Sequence, residues 1–168
     1  MRFAPAYAWA TGNRHRLQRL PCLPANSGKG DLDTKSRTPW LGLDIRRECF
    51  DYLAAVAQNN GSKVYEIGGM SDHIHLLLSL PRTLTLSKLV EQLKTSTSKW
   101  LKSKSENLKQ FSWQAGFGAF SVSESQATRV REYIRNQEIH HKKTSFQDEI
   151  IHFLKASNMD FDPKYLFD

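Results

Sequence analysis

HIHLLLSL, His73 to Leu80, follows KVYEIGG at 63 to 69 across a turn-like Met70-Ser71-Asp72, and the two apolar runs read as a β-hairpin. Successive side chains of a strand point to opposite faces. His73 and His75 therefore share one side, with their positions about 7 Å apart, while Ile74, Leu76, Leu78 and Leu80 take the other. The aliphatic side is what a helix-covered core requires. Two imidazoles on the opposite side can share one metal ion, and burying both without partners would be costly. Two half-exposed surface histidines remain the plain alternative, because His-x-His spacing also arises by chance.

Working outward from the hairpin, Asp44 is placed to cap a helix carrying Ile45, Cys49, Leu53 and Val56 at helical spacing, and Asn59-Asn60-Gly61 supplies its stop. After Pro81, Leu86, Leu89, Val90, Leu93, Thr97 and Trp100 line one face of a long helix that ends in the basic run Lys99 to Lys104. FSWQAGFGAFSVS, 111 to 123, reads as an aromatic-rich strand region interrupted by Gly116 and Gly118. Ser123 with Gln126 opens a helix running to about Lys142, and Thr144 with Gln147 opens another to about Ser157. The order helix, strand, strand, helix, strand, helix, helix predicts an α+β fold with a mainly antiparallel sheet covered by helices.

Composition is consistent with one packed domain of this kind. The 168 residues are 39% apolar, with nine Phe, five Tyr and four Trp, and no apolar run of about 18 residues is available to cross a membrane. The opening residues carry an early Arg but no continuous apolar core, so no secretory signal is indicated and a cytoplasmic location is expected. Cys22 and Cys49 lack a CxxC partner, which points away from a disulfide framework or a thiolate zinc site, and Cys49 reads as a core residue. The net charge of +7 is uneven: residues 82 to 143 hold 12 Lys/Arg against 5 Asp/Glu, whereas residues 144 to 168 hold 2 against 5. A basic half of this kind suits either a phosphate backbone or a generic solvated surface.

On the helix opened by Ser123, Tyr133 and Gln137 are four apart and share a face, with His140 and His141 close to it. A phenol with an ordinary pKa near 10 becomes a nucleophile toward phosphorus only when its proton is removed or nearly so. A divalent cation beside it helps by polarising a phosphate oxygen. The plain alternative makes Tyr133 an amphipathic core residue and the two histidines a solvated helix end.

The segments SDHIHLLLSL, SKLVEQLKTSTSKWL, FSWQAGFGAFSVSESQ and YIRNQEIHHKKTSFQDEI, closing with FDPKYLFD, resemble successive blocks of the insertion-sequence 200/605 group of single-tyrosine transposases, the REP-associated tyrosine transposases included. The resemblance runs from about Asp33 to the C-terminus. It implies a ferredoxin-like α+β domain that works as a homodimer on single-stranded DNA, often with hairpin ends, and forms a 5′-phosphotyrosine intermediate. Carried over residue by residue, it implies Tyr133 as nucleophile and His73, His75 and Gln137 as ligands of Mg²⁺ or Mn²⁺. His140 and His141 match a recurrent block but not the metal ligands. Arg129, Arg131 and Arg135 on the tyrosine helix, and Lys94, Lys99, Lys102 and Lys104 on the long helix, then become candidates for backbone contact. Trp113 and Phe117 are candidates for base stacking, although core packing suits each of them better.

The N-terminal end departs from that pattern. Relatives begin with an alternating apolar strand running into a Ser/Thr-Lys-x-Arg turn. Here Thr34-Lys35-Ser36-Arg37 supplies the turn, but NSGKGDLD before it does not read as a strand. The expectation is a first strand missing or replaced, an atypical and poorly ordered extension over 1 to 33, and a transposase domain over 34 to 168. Two other functions stay open on the residues alone: a metal phosphodiesterase using water, with His140 or His141 joining His73 and His75, and a decayed transposase retained as a nucleic-acid-binding module.

Overall fold

A computed structural model of the chain describes residues 7–9, 28–122 and 124–137. His140, His141, the expected helix from Thr144 and the closing FDPKYLFD lie outside the described residues, as do residues 138–142 of the helix expected to reach Lys142. Among the described residues five strands form one antiparallel sheet: β1 (Tyr7–Trp9), β2 (Gly28–Asp33), β3 (Val64–Gly69), β4 (His73–Leu78) and β5 (Gly118–Ser121), in the spatial order β1-β5-β2-β4-β3. The same residues include three α-helices, α1 (Leu43–Asn59), α2 (Leu86–Lys104) and α3 (Glu124–Arg135). From β2 onward the chain runs strand, helix, strand, strand, helix, strand. This is the ferredoxin-like arrangement that the resemblance implied.

The hairpin falls where the sequence placed it. β3 pairs with β4 in antiparallel register, Ile67 opposite Leu76 and Gly68 opposite His75, and the Met70 N–H closes the turn on the His73 carbonyl at 2.9 Å. Every residue of β4 is buried. On one face Ile74, Leu76 and Leu78 join Leu32 of β2, Cys49, Leu53 and Ala57 of α1, and Leu89, Val90, Leu93 and Leu101 of α2 in the larger core. On the other face Leu77 packs with Val122 and with Val130 and Ile134 of α3. The sheet is thus covered on both sides, with His73 and His75 on the side of α3. Burial pushes the Cys49 thiol up to about 12, as suits a core residue. Trp113 is likewise in the core, edge-on to Phe111 with ring centroids 4.9 Å apart.

Two details of α1 differ from the expected ones. Gly42, not Asp44, is its N-cap, and Asp44 sits in the first turn, where a carboxylate still faces the positive end of the helix. The stop is as expected, with Asn60 as C-cap and Gly61 at φ +80, a conformation that a residue with a Cβ rarely adopts.

The main correction concerns the first strand, which is present. Gly28–Asp33 lies between β5 and β4, pairing from Gly28 opposite Leu78 to Asp33 opposite His73 and, on its other edge, from Gly28 opposite Ser121 to Asp31 opposite Gly118. The strand was illegible because GKGDLD offers no apolar alternation. A central strand is held by ladders on both edges, and backbone hydrogen bonds leave no mark in the side chains. The poorly ordered stretch expected through residue 33 therefore does not extend over Gly28–Asp33, and the expected boundary at Thr34 falls inside the sheet. Tyr7–Trp9 does not replace the central strand either; it adds to the outer edge of β5, with Tyr7 opposite Phe120. A chain truncated before Thr34 should lose cooperative thermal unfolding by circular dichroism, whereas a sharp melt near that of the intact chain would mean that β2 is dispensable.

Candidate active site

The site is assembled from β4, the turn before it and α3. His73 and His75 are 1% and 2% exposed, and their rings meet edge-on with centroids 4.8 Å apart. That burial excludes the reading of two half-exposed surface histidines. The half-buried Tyr133 of α3 places its ring 5.8 Å from that of His75. One helical turn further on, Gln137 is 2% exposed, and neither its Oε1 nor its Nε2 has a hydrogen-bond partner among the described residues. Gln137 lines a cleft together with Gly68, the ladder partner of His75.

What brings α3 this close is a missing side chain. A Cβ on Gly68 would lie 2.3 Å from the Ile134 carbonyl oxygen, so the helix rests directly on the backbone of β3. Arg135 and Arg131 of α3 tie it further to the Glu66 carboxylate, at 2.7 and 3.8 Å. Gly68→Ala should force the helix away and lower stability by about 1–3 kcal/mol. A denaturation midpoint equal to wild type would show that α3 is not seated through this contact.

The electrostatics turn on residues that the sequence analysis did not single out as site residues. The His73 Nδ1 is 2.7 Å from Asp72 Oδ1. The Arg37 guanidinium grips the same carboxylate, with Nε and one terminal nitrogen 2.9 and 2.7 Å from Oδ2, and reaches Asp33 Oδ1 at 3.4 Å. Burial alone would raise the Asp72 carboxyl, but the His73 hydrogen bond and the charges of His73 and Arg37 outweigh it and hold it at about 2. Burial likewise lowers His73 below its ordinary 6.5, against the opposing pull of Asp72. The imidazole is accordingly neutral near pH 7, the form that ligates a metal.

The signs of these two shifts agree. Below pH 6.5 the unfolded chain takes up a proton that folded His73 resists, and below 3.8 the unfolded chain protonates an Asp72 that the folded state keeps ionised. Stability conferred by both groups is complete above 6.5 and is lost on acidification. In the presence of EDTA the melting temperature should fall between pH 7 and pH 5, and the fall should be smaller in His73→Gln; an equal fall in both proteins would assign the loss elsewhere.

The basic candidates separate into two layers. Arg129, Arg131 and Arg135 lie exposed on α3, on the histidine side of the sheet, the latter two engaged by Glu66. Lys94, Lys99 and Lys102 belong to α2, across the sheet from the histidines, where Lys99 and Lys102 are exposed. Lys94 is put to a structural use: its ammonium donates to the carbonyls of Gln114, at 2.8 Å, and Gly116, and burial lowers it to about 8. Lys104 pairs with Glu48 and covers the Trp100 ring.

The donor set passes a test of fit for a divalent ion. Among the described residues no three His, Cys, Asp or Glu side chains come together to hold a metal, so the group available is two imidazoles with the Gln137 amide. A buried amide with neither end hydrogen-bonded among the described residues is able to take a ligand, and nitrogen with amide oxygen suits Mg²⁺ less than Mn²⁺ but accommodates either when substrate oxygens complete the shell.

A family model described as "Transposase IS200 like" matches residues 32–137, more than half of the chain; the protein belongs to that transposase family. Among solved structures, a candidate transposase from Deinococcus radiodurans shares the fold with TM-score 0.55 and 24% identity, covering 76% of this chain and 98% of that one. A REP-associated tyrosine transposase bound to a REP hairpin aligns with TM-score 0.58 and 13% identity, over 76% of this chain and 74% of its own. No match is found among curated proteins. Among the described residues no helix is long and apolar enough to cross a membrane.

Proposed function

We propose that the protein is a metal-dependent transposase that cuts and rejoins single-stranded DNA through a 5′-phosphotyrosine, with Tyr133 as nucleophile. The observation that carries the reading is the placement of the Tyr133 ring 5.8 Å from buried His75, with Gln137 one turn away and unsatisfied. A tyrosine packed only as core would not require two buried imidazoles and a buried amide beside it.

In the proposed reaction the Tyr133 oxygen forms a bond to phosphorus as the bond to the 3′-oxygen breaks. The phenol proton passes to solvent, and the leaving 3′-oxygen gains a proton. A 3′-hydroxyl then attacks the phosphotyrosine, restoring the phosphodiester and returning the phenol. Each step exchanges one phosphate ester for another, so no nucleotide cofactor is required. His73, His75 and Gln137 would hold Mg²⁺ or Mn²⁺, which when bound supplies positive charge to the phosphate oxygens. Seating α3 on Gly68 fixes the distance between the tyrosine and those three side chains.

The substrate is proposed to be single-stranded DNA with hairpin ends, handled by two copies of the chain. Its support is family membership and the hairpin held by a REP-associated transposase of the same fold. Arg129 of α3 is the backbone-contact candidate on the histidine side that carries no carboxylate ion pair among the described residues. Incubating the protein with labelled single strands from the flanks of its own gene and Mn²⁺, followed by denaturing electrophoresis, should give a covalent adduct that Tyr133→Phe abolishes while DNA binding changes less than about twofold. Cleavage without an adduct would point instead to water as nucleophile, and an adduct undiminished in Tyr133→Phe would remove the assignment.

A further inference from the structure

The turn from Thr34 to Thr38 is wound in a way that its sequence does not favour. Ser36 and Arg37 both have positive φ, 55 and 51, although neither is glycine. Such a conformation is strained for a residue with a Cβ and persists only when its surroundings over-determine it. Here they do. The Thr34 N–H donates to the Asp72 carbonyl at 2.8 Å, Lys35 N–H to Ser112 at 2.9 Å and Ser36 N–H to the Gln114 side chain at 3.2 Å, while the Thr34 hydroxyl donates to Thr38 at 2.7 Å. The outcome of the winding is the position of one guanidinium, between Asp33 at the end of β2 and Asp72 at the start of β4.

We propose that Arg37 and Asp72 are positioning residues for His73: Arg37 fixes the Asp72 carboxylate, and Asp72 accepts the His73 Nδ1 proton, which leaves the lone pair on Nε2 as the metal-binding nitrogen. This rests on the metal reading of the site. The two contacts to Nδ1 compete, since Asp72 Oδ1 lies 2.7 Å from it and an Arg37 nitrogen 3.1 Å. A carboxylate can only accept and a guanidinium only donate, so Nδ1 can satisfy one of them. The shorter contact decides for Asp72, and Arg37 directs Nε and one terminal nitrogen to the same carboxylate and the other terminal nitrogen to Asp33. A neutral ring held in this tautomer by an oriented carboxylate is how metal-binding histidines are commonly aimed.

The tautomer can be read without any metal, from long-range proton–nitrogen correlation spectra of the ¹⁵N-labelled full-length chain, with the His73 signals identified by their loss in His73→Gln. The wild-type protein should show His73 as the Nδ1–H form. Asp72→Ala should shift it toward the Nε2–H form and weaken Mn²⁺ binding, followed by electron paramagnetic resonance, by about 10- to 100-fold. Arg37→Ala should act in the same direction but less, and Asp72→Asn, which keeps an acceptor oxygen, should restore the tautomer. Circular dichroism verifies that each variant is folded, and the near-isosteric Asp72→Asn gives a readout if the alanine variants are not. A wild-type His73 in the Nε2–H form, or a tautomer and Mn²⁺ affinity unmoved by Asp72→Ala, overturns the proposal. A wild-type chain that binds no Mn²⁺ would instead overturn the metal reading, and the spectra would then decide on the clamp alone.

Discussion

The structure depends on a single strand that is buried on both faces. In β4 the alternation of side chains sends Ile74, Leu76 and Leu78 into the core under α1 and α2, and His73, His75 and Leu77 toward α3. Slipping the strand by one residue would exchange the two sets, bringing imidazoles into a hydrocarbon core and aliphatic groups into the site. Fold and site are therefore one constraint: the register that closes the larger core is the register that gathers the histidines. The ladders to β2 and β3 enforce it from either side, and Gly68, opposite His75, admits α3, which brings Tyr133 and, two residues past its end, Gln137.

How far these features were legible in the sequence follows from which of them side chains express. The hairpin, the two helices of the larger core and the shared face of His73 and His75 all rest on periodicity. Each was readable because an apolar pattern is the direct record of a buried face. β2 was not, because its place is secured by hydrogen bonds to two neighbours and its sequence, GKGDLD, offers a single apolar side chain, Leu32, which joins the larger core. The N-cap of α1 was misplaced by two residues for a related reason: Asp44 is a good capping residue by type, but it falls within the first turn, and the chain starts the helix from Gly42.

At the site, residue types marked the chemistry but not its supports. His73, His75, Tyr133 and Gln137 stood out through spacing and through resemblance to a family. Asp72 looked like a turn residue, and Arg37 like part of a retained motif without an assigned purpose. What joins them is a contact across 35 positions of chain, which no local pattern records. The available signal was adjacency, an acidic residue directly before the first histidine and an arginine closing the turn that follows β2. The geometry gives both a target. Lys94 shows the reverse case, where a basic residue on a basic helix is occupied by loop carbonyls.

That occupation, together with the ion pairs on α3, changes how the charge of the molecule should be understood. Formal charge counts every ammonium and guanidinium equally, but a polyanion meets only the field that remains after internal neutralisation. Glu66 takes up part of the charge of Arg131 and Arg135, Glu48 that of Lys104, and Glu91 that of Lys88. Among the described residues the positive charge is therefore patchier than a count of basic side chains suggests. A polyanion could gain contacts with Arg131 or Arg135 only in competition with Glu66, whereas Arg129 carries no carboxylate ion pair among the described residues.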